Sequence, residues 1–221
     1  MITILDNFFN DPFAVRNSAL KQRYHYEGFN YPGLRTHGVS AGVADYVQSQ
    51  VRYYTKDSSA IMSTCTFHYI TKEFKSGFFH KDATAYGVIV FLSLDAPSHT
   101  GTEICDSDHA FDSWDDKKIP KILSDFHKDP HNLIKAYRYD RLKKKALSFY
   151  KPIIKVPNKF NRGIIFSGKH HFHRSQDSFG TSVENARLTL VSFIKNENDD
   201  HLPGPPTFLN APMTCDLNES Y

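Results

Sequence analysis

The chain has 221 residues, of which 40% are hydrophobic and 14% aromatic, and its formal net charge is +3 with histidine neutral. This length fits one domain with a sizeable core. The charge is too small to indicate nucleic acid by itself, and no apolar run approaches the length of a membrane span.

Other features of the composition indicate a location inside the cell. Cys65, Cys105 and Cys215 are odd in number and far apart, which is typical of reduced thiols rather than of a disulfide framework. The N-terminus lacks the charged and apolar regions of a secretion signal. We therefore predict a soluble cytoplasmic protein without a membrane partner.

The N-terminal third of the chain predicts one short strand and two helices. Residues 2–5 are apolar and β-branched, and Asp11-Pro12 then opens a helix with Asp11 as N-cap. Residues 24–39 are rich in glycine, aromatic residues and histidine, and predict an irregular loop. A second helix is predicted from Ser40, because apolar residues follow it at spacings of three and four.

From residue 60 the hydrophobic period changes from helical to strand-like. Strands are predicted at 61–70, 86–94, 102–105, 153–156, 163–166, 171–174 and 187–194. Residues 120–150 predict two helical pieces, and the basic residues between 135 and 145 form either a solvated face or a patch for an acidic partner.

This order of elements predicts a mainly β protein with flanking helices, a β-sandwich or jelly roll with the helices packed outside it. We expect one domain over residues 1–195. It includes the N-terminal helices, at about 1–59, and a helical insert, at about 106–150. Residues 196–221 carry several prolines and little periodicity, and predict an extended C-terminal tail.

A His-x-Asp pair, His80 and Asp82, precedes the predicted strand at 86–94. In an extended chain these two side chains point the same way, so an imidazole nitrogen and a carboxylate oxygen can reach one metal ion. A third ligand would complete a two-histidine, one-carboxylate set, which suits non-haem Fe(II). Chance alone produces about one such pair in a chain of this composition, so the pair requires support from its context.

Further candidate ligands follow late in the chain. His170, His171 and His173 lie just after the predicted strand at 163–166. By strand alternation His171 and His173 share a face and His170 points to the other. Arg187 then opens the last strand, and a guanidinium fork can pair two-pronged with a carboxylate while staying charged at any working pH.

In these segments the sequence resembles the Fe(II)/2-oxoglutarate-dependent dioxygenase superfamily, which includes the prolyl 4-hydroxylases. The resemblance covers roughly residues 2–195. Its N-terminal marks are ILDNFFNDPFAVRNSAL and NYPGLR, and those around the metal pair are HKD, GVIVFLSLDAP and GTEI. The remaining marks are FNRGIIFSGKHHFHRS, FG and ARLTLVSFI.

The resemblance implies a double-stranded β-helix, a cupin-like jelly roll, with the metal inside its open end. His80 and Asp82 match the proximal metal ligands. His173, which follows an aromatic residue, matches the distal ligand, and His171 is the alternative.

The resemblance also implies where the cosubstrate binds. Arg187 matches the residue that binds the C5 carboxylate of 2-oxoglutarate. Thr189 lies two residues further along the same strand and can add a hydrogen bond. Tyr69, on the strand before the metal pair, is a weaker candidate for the same carboxylate and can equally be a core tyrosine.

The activity implied is hydroxylation of a C–H bond with Fe(II), 2-oxoglutarate and O2, releasing succinate and CO2. The substrate is expected to be a peptidyl residue such as proline or a small molecule, and nucleic acid is not favoured. The alternatives are a cupin-type metal protein with non-oxidative chemistry and a non-catalytic binding or structural jelly roll. Arg187 and Thr189 argue against the first alternative, because a cupin needs no buried fork for a carboxylate. The intact set of His80, Asp82, His173 and Arg187 argues against the second.

Overall fold

A computed structural model of the chain describes residues 1–26, 32–74, 77–107, 121–122, 125–126, 129 and 132–197. The strands in these ranges are β1 (Ile2–Leu5), β2 (Leu34–Arg35), β3 (Ile61–Ile70), β4 (Tyr86–Phe91), β5 (Thr102–Ser107), β6 (Tyr150–Val156), β7 (Gly163–Ser167), β8 (Phe172–Ser175) and β9 (Arg187–Lys195). The helices are α1 (Pro12–Leu20), α2 (Ala41–Thr55) and α3 (Leu133–Phe149), with a short 3₁₀ turn at Ser98–Thr100.

Two antiparallel sheets face each other. The larger has six strands in the order β1-β7-β4-β9-β3-β2, and the smaller has three in the order β6-β5-β8. Every described strand pair is antiparallel. This is a jelly-roll arrangement with an open end between the sheets, and it confirms the predicted fold class.

The two faces of the large sheet pack against different layers. Val88 and Val90 of β4 belong to a cluster with residues of α1 and α2. Ile89 and Phe91 alternate with them and belong to a second cluster, which includes Ile104 of β5. The helices therefore cover the outer face of the large sheet, and its inner face turns toward the small sheet and the site described below.

The two N-terminal helices begin where the sequence predicts. The Asp11 side chain accepts a hydrogen bond from the Ala14 N–H at 2.9 Å and caps α1, and Pro12 occupies its first turn. α2 begins after Ser40, whose side chain makes no capping hydrogen bond. Val47 and Val51 are the fully buried residues of α2, four positions apart on one face.

The loop predicted at 24–39 contains a strand that the sequence does not reveal. Leu34 pairs with Tyr69 and Arg35 with His68, so β2 becomes the edge strand of the large sheet. Two residues are too few to show a hydrophobic period, and tertiary pairing alone forms this strand. The predicted tail lies outside the described residues from position 198 onward, and so does the first part of the helical insert apart from a few residues.

Two further findings concern the predicted compartment and partners. Cys65 and Cys105 are free and buried, while Cys215 lies outside the described residues. Among the described helices, none is both long enough and apolar enough to cross a membrane.

Candidate metal centre

Backbone pairing at the edge of the small sheet brings His80 next to His173. The His80 N–H donates to the His173 carbonyl at 3.1 Å, and the His173 N–H donates back to the His80 carbonyl at 2.9 Å. Two residues further on, the Asp82 N–H donates to the Gly168 carbonyl at 3.0 Å. These bonds hold the His-x-Asp segment alongside β8, so two imidazoles and one carboxylate share the same space.

The ligand atoms of these three residues are close enough to hold one ion. One nitrogen or oxygen from each of His80, Asp82 and His173 lies within 4.8 Å of the others. His80 Nε2 is 3.8 Å from Asp82 Oδ1, and His173 Nε2 is 3.5 Å from Asp82 Oδ2. His171 is not in this group, and its Nε2 lies 3.4 Å from the terminal amine of Met1.

The three residues fit a divalent cation, as the surroundings of Asp82 show. Asp82 is 8% exposed, and its buried Oδ2 has no hydrogen-bond partner among the described residues. A buried carboxylate oxygen without a donor is costly, and a cation removes that cost. Carboxylate and imidazole ligands suit a first-row transition metal such as iron.

A contact between Nδ1 and a backbone carbonyl orients each of the two candidate histidine ligands. His80 Nδ1 is 2.9 Å from the Phe78 carbonyl, and His173 Nδ1 is 3.4 Å from the His171 carbonyl. A carbonyl bond at Nδ1 places the ring hydrogen there and leaves Nε2 with a lone pair, the arrangement common in metal-binding histidines. In both residues Nε2 is also the nitrogen nearer to Asp82.

Burial shifts the pKa values of His173 and Asp82. The pKa of His173 lies well below its ordinary value, first because burial penalises the charged imidazolium and then because His80 is nearby. His173 is therefore neutral and able to bind a metal at neutral pH. Burial raises the pKa of Asp82, while the charges of His80 and Arg35 oppose that rise.

The centre opens into a cavity whose space, counted together with the open solvent at its mouth, is about 610 Å³. Its walls are largely apolar. The polar side chains that line it beside the three candidate ligands are Arg35, His68, Ser175, Arg187 and Ser192. Asp82 is the only carboxylate among the described lining residues.

Arg187 lies inside the cavity and is 3% exposed. Its Nε donates to the Thr100 carbonyl at 2.9 Å, and its Nη2 lies 3.3 Å from the Gly101 carbonyl and 3.2 Å from Thr102 Oγ1. No carboxylate among the described residues forms an ion pair with it. Burial lowers the pKa of Arg187 to about 10, so the guanidinium is charged at neutral pH.

Thr189 and Tyr69, the other predicted cosubstrate residues, lie on opposite faces of the large sheet. The Thr189 hydroxyl is fully buried and donates to the His68 carbonyl at 3.2 Å. Tyr69 alternates with His68 along β3 and packs in the outer cluster, its ring 4.8 Å from that of Tyr24. Neither residue lines the cavity.

Two cavity residues, Arg35 and His68, were not among the candidates from the sequence. His68 Nε2 is 2.6 Å from the Pro32 carbonyl. The pKa of His68 lies well below its ordinary value because of burial and the charges of Arg35 and Arg187, so this histidine is neutral. Arg35 is the last residue of NYPGLR, a mark of the resemblance that carries no role for this residue.

The sequence contains a second His-x-Asp pair, His127 and Asp129. His127 lies outside the described residues, and Asp129 Oδ2 is 3.1 Å from Lys135 Nζ. The group of metal-ligand side chains found among the described residues is the one at His80, Asp82 and His173.

Solved structures with the same fold are Fe(II)- and 2-oxoglutarate-dependent oxygenases. HygX from Streptomyces hygroscopicus, with nickel, 2-oxoglutarate and hygromycin B bound, superposes with a TM-score of 0.57 at 11% identity, over 89% of this chain and 83% of that one. SnoN, a non-heme alpha-ketoglutarate-dependent epimerase of nogalamycin biosynthesis, gives 0.52 at 12% identity, over 97% and 89%. A Trichoplax adhaerens prolyl hydroxylase, in complex with a hypoxia-inducible factor peptide, gives 0.50 at 10% identity, over 90% and 84%.

The chain thus has the fold of this oxygenase superfamily. The sequence matches no protein-family model and no curated protein. The similar structures include an epimerase and a hydroxylase, so one fold carries more than one reaction, and the reaction must be argued from the site.

Proposed function

We propose that this protein is an Fe(II)- and 2-oxoglutarate-dependent oxygenase that hydroxylates an unactivated C–H bond. The observation that carries the proposal is the group of His80, Asp82 and His173, with a buried Asp82 oxygen that lacks a hydrogen-bond donor. Two histidines and one carboxylate leave coordination positions open for a cosubstrate and oxygen.

In this proposal the protein holds the iron and keeps its ligands in the binding form. His80 and His173 offer Nε2, because their Nδ1 atoms are turned toward backbone carbonyls. Asp82 supplies the negative charge. The bound iron, 2-oxoglutarate and O2 would supply the oxidising power that breaking a C–H bond requires.

Arg187 would bind the C5 carboxylate of 2-oxoglutarate. Burial of a guanidinium without a carboxylate partner among the described residues costs free energy, and an anionic cosubstrate would offset that cost. Thr189 and Tyr69 have no part in our proposal for this carboxylate, since neither lines the cavity.

The walls of the cavity would exclude water and position the substrate. Phe78, Ile70, Phe166, Val191 and Phe193 give it an apolar lining. Excluding water protects a reactive site from side reactions. HygX was solved with hygromycin B and the Trichoplax enzyme with a peptide, so we propose a small molecule or a peptidyl residue as the substrate class.

Production of succinate tests the proposal against a non-oxidative or non-catalytic jelly roll. Protein loaded with Fe(II) in air should convert 2-oxoglutarate to succinate, slowly without substrate, and Zn(II)-loaded protein should not. A wild type that forms no more succinate than the His80→Ala variant would contradict the proposal. Such a result, together with tight Zn(II) or Mn(II) binding, would favour cupin-type chemistry.

Variants of the late histidines test the distal ligand within the same assay. His173→Ala should lower succinate formation at least 100-fold, because outright removal of a metal ligand is more severe than the 10–100-fold cost of losing an outer-shell partner. His171→Ala and the exposed His170→Ala should remain near wild type. Loss of activity in His171→Ala alone would assign the distal position to His171.

A further inference from the structure

Arg187 cannot satisfy a carboxylate by itself in the arrangement that the structure shows. Three of its N–H groups are directed at Thr100, Gly101 and Thr102. A guanidinium has five N–H donors, and only those on Nη1 make no hydrogen bond with a described residue. The two-pronged pairing expected from the sequence requires donors from two nitrogens, so a carboxylate with two oxygens needs another donor nearby.

Arg35 faces the same cavity from the neighbouring edge of the sheet. Arg35 pairs with His68, and His68 pairs with Thr189. Cross-strand partners project to the same face, and Arg187 is two residues from Thr189 on that face. Both arginines therefore project inward from the same sheet, and Arg35 is only 8% exposed.

The charged side chains that line the cavity favour the binding of an anion by more than one cationic group. Two guanidinium groups and one carboxylate line it among the described residues. Burial and the charges of the two arginines lower the pKa of His68, so this histidine is neutral and adds no charge to the cavity. Arg35 lines the same cavity as Asp82 and the other residues of the metal centre.

A turn fixes the position of Arg35. Gly33 has a φ of 97°, and a Cβ at that position would lie 2.3 Å from the Tyr69 carbonyl oxygen. The Pro32 carbonyl is held by His68, and the Arg35 N–H donates to the His25 carbonyl at 2.9 Å. With its main chain fixed and five side-chain donors, Arg35 can keep a contact with the protein and still bind a ligand oxygen.

We propose that Arg35 and Arg187 together bind the distal carboxylate of 2-oxoglutarate, with Arg35 supplying the donors that Arg187 directs elsewhere. The proposal rests on the function proposed above. It makes Arg35 a binding residue for the cosubstrate, although the sequence places it in a segment with no metal-binding or catalytic pattern.

Binding measurements on Ni(II)-loaded protein without oxygen test this role. The two ligands are 2-oxoglutarate and 2-oxopentanoate, which has the same five-carbon chain with a methyl group in place of the distal carboxylate. Isothermal titration gives a Kd for each in wild type, Arg35→Gln, Arg187→Gln and Arg52→Gln. Arg52 is the matched control, because it also donates to a backbone carbonyl but lies outside the cavity.

Arg35→Gln should raise the Kd for 2-oxoglutarate at least 10-fold and change that for 2-oxopentanoate less than 2-fold. Arg187→Gln should behave in the same way, and Arg52→Gln should bind both ligands like wild type. An unchanged Kd for 2-oxoglutarate in Arg35→Gln would overturn the proposal. Equal weakening of both ligands would also overturn it, because the residue would then act on the metal or the fold.

Two further readouts keep the test decisive. If Arg35→Gln does not fold, Arg35→Lys replaces it, since lysine keeps the charge without the planar fork and should weaken 2-oxoglutarate 3-fold or more. Wild-type affinity in Arg35→Lys would contradict a fork at this position. A wild type that binds neither ligand would instead refute the proposed function, so the two failures are distinguishable.

Discussion

At the scale of single residues, Asp82 links stability to metal binding. Its Oδ2 is buried without a donor, and leaving such a group unsatisfied costs about 1–3 kcal/mol. We therefore expect Asp82→Asn to raise the unfolding free energy of the metal-free protein by about 1–2 kcal/mol, because it removes a buried charge. Binding of Ni(II) or Fe(II) should stabilise wild type by about 2.7 kcal/mol at a metal concentration of 100 Kd and so raise its Tm. Asp82→Asn should abolish this rise in Tm.

Asp57 provides the control for this prediction. It accepts hydrogen bonds from Ser59 and from the Tyr86 hydroxyl, so its carboxylate is satisfied. Asp57→Asn should destabilise the protein and leave the metal-induced rise in Tm intact. Thermal unfolding with and without metal gives both quantities, and a metal response that persists in Asp82→Asn would contradict the assigned ligand.

The sequence pattern alone does not decide whether His171 or His173 is the distal ligand. Strand alternation places both on one face, provided that the strand includes both. β8 begins at Phe172, and the His171 N–H donates to the carbonyl of Ser167, the last residue of β7. Alternation therefore does not extend to His171, and its imidazole lies beside Met1 instead of Asp82.

At the scale of secondary structure elements, the helix caps can be compared directly. Asp11 caps α1 with a side-chain hydrogen bond of 2.9 Å, whereas Ser40 precedes α2 without one. Asp11→Ala should lower the unfolding free energy by about 1 kcal/mol, and Ser40→Ala should lower it by clearly less. Urea unfolding of the two variants checks the difference, and equal losses would contradict the capping described here.

The long strands could be predicted from the sequence and the short one could not. β3, β4 and β9 carry β-branched and aromatic residues over six or more positions, so the pattern itself indicates strands. β2 has two residues and exists because Leu34 and Arg35 pair with β3. For the same reason the sequence does not identify Arg35 as a cavity residue, since its inward orientation depends on the pairing of β2 with β3.

At the scale of the whole molecule, buried neutral histidines predict acid sensitivity. Burial holds the pKa of His68 and of His173 well below the ordinary value near 6.5. In the unfolded chain both histidines take up protons below about pH 6.5, whereas in the folded protein they stay neutral. The unfolded state therefore binds more protons, and the unfolding free energy decreases as the pH is lowered. Each histidine contributes a slope that approaches about 1.4 kcal/mol per pH unit well below pH 6.5.

Urea unfolding of the metal-free protein between pH 7.5 and 5.5 measures this slope. Over this whole range His68→Leu should reduce the loss of unfolding free energy by about 1.4 kcal/mol, and the exposed His99→Gln should not change it. The raised pKa of Asp82 acts in the opposite sense, so the difference between variants is the cleaner readout. An identical pH dependence in wild type and His68→Leu would contradict a buried neutral His68.

The fold and the centre differ in how far the sequence determines them. Local patterns indicate the strands and the His80-x-Asp82 pair, while His173 and Arg187 are brought to that pair by sheet pairing over long separations in the chain. The resemblance to the oxygenase superfamily supplied those distant residues in advance. It included Arg35, as the last residue of NYPGLR, without a role for it. It did not supply His68 or the bonds that engage Arg187, because these depend on the packing of this chain.

Anaerobic addition of Fe(II) and 2-oxoglutarate to the metal-free protein shows whether His80, Asp82 and His173 hold iron that can bind the cosubstrate. The iron–2-oxoglutarate chelate should give a visible charge-transfer band in wild type and in His171→Ala, and no band in His80→Ala, Asp82→Asn or His173→Ala. The absence of a band in wild type would contradict the account of the metal centre. A band that survives in His173→Ala but is lost in His171→Ala would assign the distal ligand to His171.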